Sequence, residues 1–469
     1  MFVGRQAELA ILQGAYESGS FEMIAVYGRR RVGKTVLLDH FCEGTDETLF
    51  FTAQQTTAEE NLARLSKVVL GNLGASSVMD GGVAATFRSY EAALEHVFEL
   101  SFDRRVVLVI DEYPYLAEGY AGISSVLQSL IDRYRDRSKL MLILCGSSMS
   151  FMEGQVLGEK SPLYGRRTGQ IKVEPFDIFG AEELLGCDDF TKVIELYGLV
   201  GGVPLYLDQL DARKSVEWNI ANRILRTGAF LEAEPASFLL QELRAPARYN
   251  AVLSALAAGR NTPREIGDRT GIPDPNVSQA LQRLEELTLV RRVRPAVLRK
   301  ARQVRYEVSD NLFCFSYRFR GRYETAIQAG LSDEVARRIV TSELSTYMGH
   351  VFEDVCRQWL LREVREGRLD VLPLEVGRWW GTNPAERCEE EIDVVLSGVD
   401  GELILGECKW NNRPVDASVL GVLKRRAELL PGGKDARLFL FSKSGFEREC
   451  RERALTDGNV RLVDVGEML

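Results

Sequence analysis

Four short apolar segments punctuate the first part of the chain, and longer segments with helical spacing separate them. The apolar segments are FEMIAVYG at 21–28, ETLFFTA at 47–53, RRVVLVIDE at 104–112 and KLMLILCGS at 139–147. Strands that are apolar on both faces are buried on both faces, so this alternation predicts a parallel sheet covered by helices. We expect an α/β domain over residues 1–235.

The pattern then changes to three short helices, the first of them over residues 248–258. Thr262 precedes Pro263, and Glu265 follows three residues after Thr262, which is the spacing of a capped helix start. A third helix over 275–287 and two β segments complete a predicted winged helix-turn-helix. We expect this domain over residues 236–330.

A third region, residues 331–469, begins with a long amphipathic helix and continues with strands. We expect it to form a second, separate α/β domain. Apolar runs such as 106–110 are far shorter than the 18 or more residues of a membrane span, and the N-terminus lacks a secretory pattern. The sequence therefore predicts a cytoplasmic protein without a membrane partner, and it leaves a homo-oligomer open.

Charge separates the middle region from the rest of the chain. Residues 241–330 carry a net charge of about +7, whereas the whole chain carries −9. The basic residues concentrate after the third helix, at Arg291, Arg292, Arg294, Arg299 and Lys300. Such a patch suits the phosphates of double-stranded DNA, although a solvated loop would have the same composition.

The third helix carries polar side chains that suit a major groove, namely Asn276, Ser278, Gln279, Gln282 and Arg283. DNA is therefore the expected partner of this domain. The alternative is a packing module that relays the nucleotide state of the first domain.

The first strand runs into the sequence GxxxxGKT, followed by the helical segment VLLDHF. Backbone amides in such a loop surround a phosphate chain at the positive end of the next helix. We expect Lys34 to reach the β and γ oxygens of ATP, and the Thr35 hydroxyl to bind Mg²⁺. The predicted nucleotide-binding residues are Gly28, Arg29, Arg30, Arg31, Val32, Gly33, Lys34 and Thr35.

The strand at 104–112 ends in two carboxylates, Asp111 and Glu112. In this position after a phosphate-binding loop, Asp111 is predicted to hold the Mg²⁺ shell and Glu112 to polarise the attacking water. The next strand ends at Ser147 and Ser148, where a hydroxyl can sense the γ-phosphate. A plain small-residue turn is the alternative there.

A hairpin near the C-terminus brings a second set of charged residues together. Strand alternation places Glu407 and Lys409 on one face, with Asp393 on the same face and diagonal to Glu407. Asp393 and Glu407 can bind Mg²⁺ while Lys409 activates water and stabilises charge on a phosphodiester. A salt bridge between Glu407 and Lys409 is the plain alternative, and Glu391 is a second candidate for the ligand at Asp393.

Several motifs of the first region resemble the archaeal-type ATPases of the STAND branch of the P-loop NTPases, within the wider AAA+ group. They are FVGR at 2–5, GRRRVGKT, VVLVIDE, CGSS, PLYGRR at 162–167 and GGVPLYL at 201–207. The resemblance implies that Val3, Gly4 and Arg5 lie near the adenine. It also implies that Arg166 or Arg167 senses the γ-phosphate and that Pro204 contacts the base side of the nucleotide.

The pattern Asp-x13-Glu-x-Lys is similar to the core of the PD-(D/E)XK nucleases, which have a restriction-endonuclease-like fold. This resemblance implies a catalytic set of Asp393, Glu407 and Lys409, with Glu353 as the auxiliary acid. The stretch from Tyr306 onward also resembles the C-terminal domain commonly fused to these ATPases.

Together these features predict a Mg²⁺-dependent ATPase whose nucleotide state controls a DNA-directed module with nuclease chemistry. The alternative function is a nucleotide-switched scaffold or DNA-binding regulator whose nuclease fold is inactive.

Overall fold

A computed structural model describes residues 2–71, 79–80, 83–84, 86–297 and 304–469. The chain divides into two compact units, Met1–Pro175 and Phe176–Leu469. Within the described residues, no helix combines the length and the apolar character that a bilayer crossing requires.

The first unit contains a five-stranded sheet in the order β2-β5-β6-β1-β7, in which every neighbouring pair is parallel. Its strands, with the short hairpin β3-β4, are β1 (Glu22–Tyr27), β2 (Thr48–Thr52), β3 (Met79–Asp80), β4 (Val83–Ala84), β5 (Val106–Asp111), β6 (Leu140–Gly146) and β7 (Gly169–Lys172). Its helices are α1 (Gln6–Glu17), α2 (Lys34–Cys42), α3 (Ala58–Gly71), α4 (Tyr90–Leu100), α5 (Tyr113–Gly119), α6 (Ile123–Tyr134) and α7 (Met149–Phe151).

Alternate residues of the central strands pack into two separate apolar clusters. On β5, Leu108 and Ile110 join the cluster that includes α3, α4 and α6, whereas Val107 and Val109 join the one that includes α1 and α2. All six residues of β5 are buried, as are all seven of β6. The predicted parallel sheet with helices on both faces is confirmed.

The second unit begins with helices, continues through a small hairpin and ends with a sheet. Its helices are α8 (Ile178–Leu185), α9 (Phe190–Val200), α10 (Pro204–Leu207), α11 (Val216–Asn219), α12 (Phe230–Glu242), α13 (Pro246–Ala257), α14 (Pro263–Thr270), α15 (Asp274–Glu286), α16 (Asn311–Phe315), α17 (Gly321–Gln328), α18 (Ser332–Ser342), α19 (Leu344–Arg365), α20 (Ala417–Ala427) and α21 (Arg448–Asp457). Its strands are β8 (Val290–Val293), β9 (Arg305–Val308), β10 (Pro373–Asn383), β11 (Cys388–Gly398), β12 (Leu403–Lys409), β13 (Arg437–Ser442) and β14 (Val460–Asp464).

Helices α13, α14 and α15 and the hairpin β8-β9 form the winged helix, whose apolar cluster includes Val252, Ile266, Leu281 and Val290. The predicted capping box begins α14. Thr262 accepts the Glu265 backbone N–H, while the Glu265 carboxylate accepts the Thr262 backbone N–H. Both backbone donors at this helix start are therefore satisfied, as the local sequence predicts.

The C-terminal sheet has the order β10-β11-β12-β13-β14. Strand β11 is antiparallel to both β10 and β12, whereas β12, β13 and β14 are parallel to one another. Leu405 faces the apolar cluster that includes α20, whereas Ile404 faces the one that includes α19. Long helices therefore cover both faces of the sheet.

The register of the hairpin corrects one sequence-based detail. Val395 pairs with Leu405 and Val394 with Gly406, so the same register sets Asp393 opposite Glu407, not diagonal to it. The pairing of β11 with β10 is also irregular between Gly377 and Trp379, which leaves two residues of β11 opposite Arg378. Such a bulge re-aims the side chains beside it, here Asp393 and Val394.

The predicted domain boundaries do not coincide with the division between the two units at residue 175. The boundary near residue 235 falls inside α12, and that near residue 330 falls between α17 and α18. The three-domain division stays a prediction.

Candidate functional sites

The loop between β1 and α2 is shaped by residues with left-handed backbone conformations. Arg31 has φ 74° and Gly33 has φ 87°, immediately before Lys34 begins α2. Gly28 is needed for a further reason, because a Cβ there would lie 2.2 Å from the carbonyl oxygen of Val173. At the centre of the loop, Arg29 and Val32 are buried.

Lys34 lies over this loop, and its side chain curls back toward the preceding strand. Its Nζ donates hydrogen bonds to the carbonyl oxygens of Gly28 and Arg29, both at 2.9 Å. The residue is only 7% exposed, and burial lowers the pKa of its ammonium group. A buried cation is thus presented at the position where the loop is predicted to receive phosphate.

Thr35 and Asp111 meet beside Lys34, although they are far apart in the chain. The Thr35 hydroxyl donates to Asp111 Oδ2 at 3.0 Å, and Asp111 Oδ1 accepts the backbone N–H of Glu112 at 3.0 Å. A hydroxyl and a carboxylate are hard oxygen ligands of the kind that Mg²⁺ selects. This pair of residues therefore fits the predicted metal.

Glu112 is held by a residue that sequence reasoning did not pair with it. The Ser147 hydroxyl lies 2.9 Å and 3.2 Å from the two carboxylate oxygens of Glu112. Ser147 directly follows β6, the neighbour of β5, and both strands end at the same edge of the sheet. Adjacency of those two strands is the signal that would have linked these side chains.

The other residues implied by the ATPase resemblance have partners of their own. Arg166 forms a bidentate ion pair with Asp132, with both N···O distances at 2.7 Å, and Arg167 donates to the carbonyl of Leu157 at 3.2 Å. Arg5 donates to the carbonyl oxygen of Val32 at 2.9 Å. The N-terminal segment is thus tied to the phosphate-binding loop.

Arg30 donates to the hydroxyl of Tyr115 at 2.7 Å, which connects the phosphate-binding loop to α5. Pro204 is the first residue of α10 in the second unit. Its predicted contact with the nucleotide base stays a prediction, and so do the γ-phosphate roles of Arg166 and Arg167.

A carboxylate cluster forms in the second unit around Asp393, with Glu407 and Lys409 on β12 and Glu353 on α19. Asp393 Oδ2 accepts the backbone N–H of Cys408 at 2.8 Å. Burial, followed by the nearby carboxylates of Glu407 and Glu353, raises the pKa of Asp393 to about 8. The cluster concentrates more negative charge than a metal-free protein readily keeps ionised.

Glu407 is balanced by two cations. Lys409 Nζ lies 2.7 Å from Glu407 Oε1, and Arg426 Nη1 on α20 lies 3.1 Å from Oε2. The salt bridge between Glu407 and Lys409 therefore exists, as the plain alternative predicts. Arg426 could not be predicted from the motif, because α20 lies outside the hairpin that carries it.

Glu353 and Glu391 differ in their relation to this cluster. Glu353 lies 3.1 Å from His350 Nδ1, and this contact raises the pKa of His350. Glu391 lies 3.5 Å from Arg378 and its side chain is 41% exposed. The geometry therefore favours Asp393 over Glu391 as the acidic partner of Glu407.

A tighter group of potential metal-binding atoms occurs elsewhere. In the part of the chain that the structure describes, Glu386, Cys388 and Glu390 are the one set of three or more such residues whose ligand atoms lie within 4.8 Å of one another. Glu386 and Cys388 are exposed, and Glu390 forms an ion pair with Arg426 at 2.7 Å. These contacts give no separate indication of a ligand.

The winged helix agrees with the sequence on its third helix and departs from it on the wing. Gln279 and Gln282 are exposed on α15. Arg291, however, is paired with Glu307 and Asp354, and Arg305 with Glu389 at 2.5 Å. Carboxylates of β9 and α19 thus already contact this arginine of the predicted patch, although its side chain is 43% exposed, and phosphate binding by the wing stays a prediction.

Arg292 and Arg294 are exposed, and Arg292 lies 3.5 Å from Glu285 of α15. Arg299 and Lys300 lie outside the described residues. Two of the three described arginines of this patch, Arg291 and Arg292, therefore have carboxylate partners in the structure.

Comparisons with known proteins divide the chain into three matched segments. Residues 2–210 match a family described as an ATPase domain predominantly from Archaea, and residues 251–300 match the MarR family. Residues 316–420 match a family described as archaeal and bacterial proteins of unknown function.

Relatives of the chain occur in Methanocaldococcus jannaschii. The chain is 29% identical over 415 residues to an uncharacterized protein of that organism, and the match covers 88% of each chain. It is also 46% identical over 43 residues to an uncharacterized ATP-binding protein, of which it covers 73%, using 9% of this chain.

Among solved structures, the Walker-type ATPase of Pyrococcus abyssi is similar with a TM-score of 0.50 and 21% identity. The match covers 68% of this chain and 96% of that one, and it shows a shared fold. The chain therefore has an ATPase domain of the family found predominantly in Archaea, a MarR-like winged helix and a C-terminal domain of a family of unknown function.

Proposed function

We propose that this protein binds and hydrolyses ATP with Mg²⁺ at its phosphate-binding loop, and that the nucleotide state controls a module directed to double-stranded DNA. The observation that carries the first part is the contact between Thr35 and Asp111 at 3.0 Å, directly beside Lys34. It brings a hydroxyl, a carboxylate and an ammonium group to the start of one helix, where the backbone also favours anions.

Each of these side chains has a role that its present contacts support. Lys34 exchanges the carbonyl oxygens of Gly28 and Arg29 for phosphate oxygens, which are stronger acceptors because they are charged. Thr35 and Asp111 orient the metal shell, and Mg²⁺, when bound, neutralises charge on the phosphates. Glu112 orients the attacking water once it leaves the Ser147 hydroxyl.

The DNA-directed part of the proposal is supported by the MarR-like segment and by the exposed side chains of α15. Gln279 and Gln282 carry amides, which can pair with adenine in a major groove. A homo-oligomer is compatible with this proposal and is not needed for it.

Release of phosphate from ATP tests the enzymatic part. Wild-type protein should hydrolyse ATP only with Mg²⁺, Lys34→Ala should lose both binding and hydrolysis, and Glu112→Gln should keep binding but hydrolyse at least about 100-fold more slowly. Lys67→Ala, which removes an exposed lysine from α3, is the matched control. Equal hydrolysis by wild type and Lys34→Ala would refute the assignment. Binding without hydrolysis by wild type would favour a nucleotide-switched scaffold.

A second activity, Mg²⁺-dependent cleavage of DNA, is favoured by the cluster at Asp393. The half-buried Asp393 and the buried Glu407 lie at opposite positions in the register of β11 and β12, with Lys409 beside Glu407, and two carboxylates with a lysine suit a metal-bound phosphodiester. Asp393 and Glu407 would hold the metal, Lys409 would stabilise charge on the phosphate, and Glu353 would supply an auxiliary acid. Opposing this, Glu407 already has two cationic partners.

Plasmid nicking with Mg²⁺ or Mn²⁺ tests this second activity. Nicking should disappear in Asp393→Asn and Lys409→Ala but persist in Lys424→Ala, a lysine of α20 that pairs with Asp457 instead. If wild-type protein binds DNA and never cuts it, the alternative of a DNA-binding regulator with an inactive C-terminal domain replaces the nuclease assignment.

A further inference from the structure

A continuous chain of ion pairs connects the wing to the carboxylate cluster. It starts at Arg291, whose guanidinium lies 2.7 Å and 3.0 Å from the two carboxylate oxygens of Asp354 on α19. Arg291 also contacts Glu307, its partner residue across the hairpin, at 3.2 Å. The wing arginine is therefore held between its own hairpin and the long helix of the C-terminal region.

Asp354 shares its carboxylate with a second arginine. Arg357 Nη2, one helical turn further along α19, donates to Asp354 Oδ1 at 2.6 Å. Burial opposes the ionised form of Asp354, yet Arg291 and Arg357 together outweigh it and hold the pKa of that carboxyl well below its usual range. Asp354 is thus a charged bridge between the two guanidinium groups.

Arg357 reaches the cluster itself. Its Nη1 donates to the backbone carbonyl of Asp393 at 2.5 Å and lies 3.9 Å from Glu353 Oε2. Asp393 is also one of the two residues at the irregularity of β11, where the regular pairing with β10 does not fix the backbone. The Arg357 side chain therefore supplies a restraint on this carbonyl that the sheet does not.

The wing contacts the other side of the same irregularity. The Ala296 N–H donates to the carbonyl oxygen of Arg378 at 2.8 Å, and Arg378 is the β10 residue opposite Asp393 and Val394. The Arg378 guanidinium contacts Glu307 of the wing as well as Glu391. At this irregularity, β10 is thus bound directly to the winged helix, and β11 is bound to it through α19.

We propose that Arg291 of the wing is a positioning residue for the Asp393 cluster, acting through Asp354 and Arg357. Arg291 keeps Asp354 charged and in place, Asp354 orients Arg357, and Arg357 fixes the carbonyl of Asp393. The geometry of the cluster therefore depends on the wing staying docked. The inference rests on the second proposed function only for its consequence in metal binding, since the restraint itself is structural.

Hydrogen exchange of the full chain tests the restraint without any metal. In Arg291→Ala, peptides from β11 and β12, including the Cys408 amide that donates to Asp393, should exchange about fivefold faster than in wild type. Arg291→Lys, which keeps the charge and one contact, should restore part of the protection. Asp354→Asn has nearly the same shape as the wild-type residue and should reproduce the effect if Arg291→Ala folds poorly.

Arg292→Ala is the matched control, because Arg292 is the next residue of β8 but pairs with Glu285 and lies over the Tyr306 ring, both within the winged helix. It should leave exchange in β11 and β12 unchanged. Unchanged exchange there in both Arg291→Ala and Asp354→Asn overturns the proposal. An increase spread equally over β13 and β14 also overturns it, because it indicates a general loss of stability.

Mn²⁺ titration separates this inference from the nuclease assignment. The part of the binding heat that is lost in Asp393→Asn is assigned to Mn²⁺ bound at the Asp393 cluster. The Mn²⁺ affinity of that site should be several-fold weaker in Arg291→Ala than in wild type, and unchanged in Arg292→Ala. If wild type and Asp393→Asn bind Mn²⁺ equally, the nuclease assignment fails. The exchange measurement then still decides whether Arg291 positions Asp393.

Discussion

At the scale of single residues, both candidate sites keep charged groups out of water. Lys34, Asp111 and Glu407 are each 7% exposed or less, and buried charges persist when they are paired or bind a ligand. The residues of the phosphate-binding loop could be predicted from the sequence because one contiguous segment carries them. The contacts of Ser147 with Glu112 and of Arg426 with Glu407 could not be predicted, because the two partners of each contact lie on separate elements.

Asp393 leads to a prediction about pH. Its pKa of about 8 in the folded protein exceeds its ordinary value of 3.8, so the folded state retains a proton that the unfolded state has lost. Metal-free wild-type protein should therefore lose stability as pH rises from 5 to about 8, and Asp393→Asn should lose less. Thermal unfolding at pH 5 and pH 8 measures this. The Tm of Asp393→Asn minus the Tm of wild type should therefore be larger at pH 8 than at pH 5. The same value at both pH values would contradict the assigned environment of Asp393.

At the scale of elements, local sequence signals predicted the helices and strands well, whereas the contacts between elements could not be predicted from the sequence. The capping box at Thr262 was predicted because its atoms lie within four residues. The packing of β8 and β9 against α19 and β11 was not predicted. Asp354 and Glu389, which bind Arg291 and Arg305, are far from the wing in the chain. A composition count cannot tell a basic patch that faces solvent from one that carboxylates have neutralised.

The proposed recognition of DNA therefore depends mainly on α15. Gln279→Ala and Gln282→Ala should each weaken binding to duplexes selected by the wild-type protein, by about 1–3 kcal/mol where the amide contacts a base. Arg305→Ala should change affinity less, because Arg305 is paired with Glu389 and stacked on Trp380. Fluorescence anisotropy at several salt concentrations measures both effects. Affinity that is insensitive to both glutamines would argue that the winged helix is a packing module.

At the scale of the whole molecule, the chain combines a nucleotide site in one unit with a winged helix and a carboxylate cluster in the other. The sequence predicted the parallel sheet and the winged helix because hydrophobic period and helix signals are local properties. It did not predict the division at residue 175, because compactness depends on which helices pack together. The same limit applies to the network that runs from Arg291 to Asp393.

The central claim is that a triphosphate and a divalent cation meet at Lys34, Thr35 and Asp111. Calorimetric titration of ATP with and without Mg²⁺ tests it most directly, in wild type and in Thr35→Ala and Asp111→Asn. Mg²⁺ should strengthen ATP binding to wild type at least about tenfold, and this gain should disappear in both variants. Absence of ATP binding by wild type, or an unchanged Mg²⁺ effect in both variants, would contradict the claim.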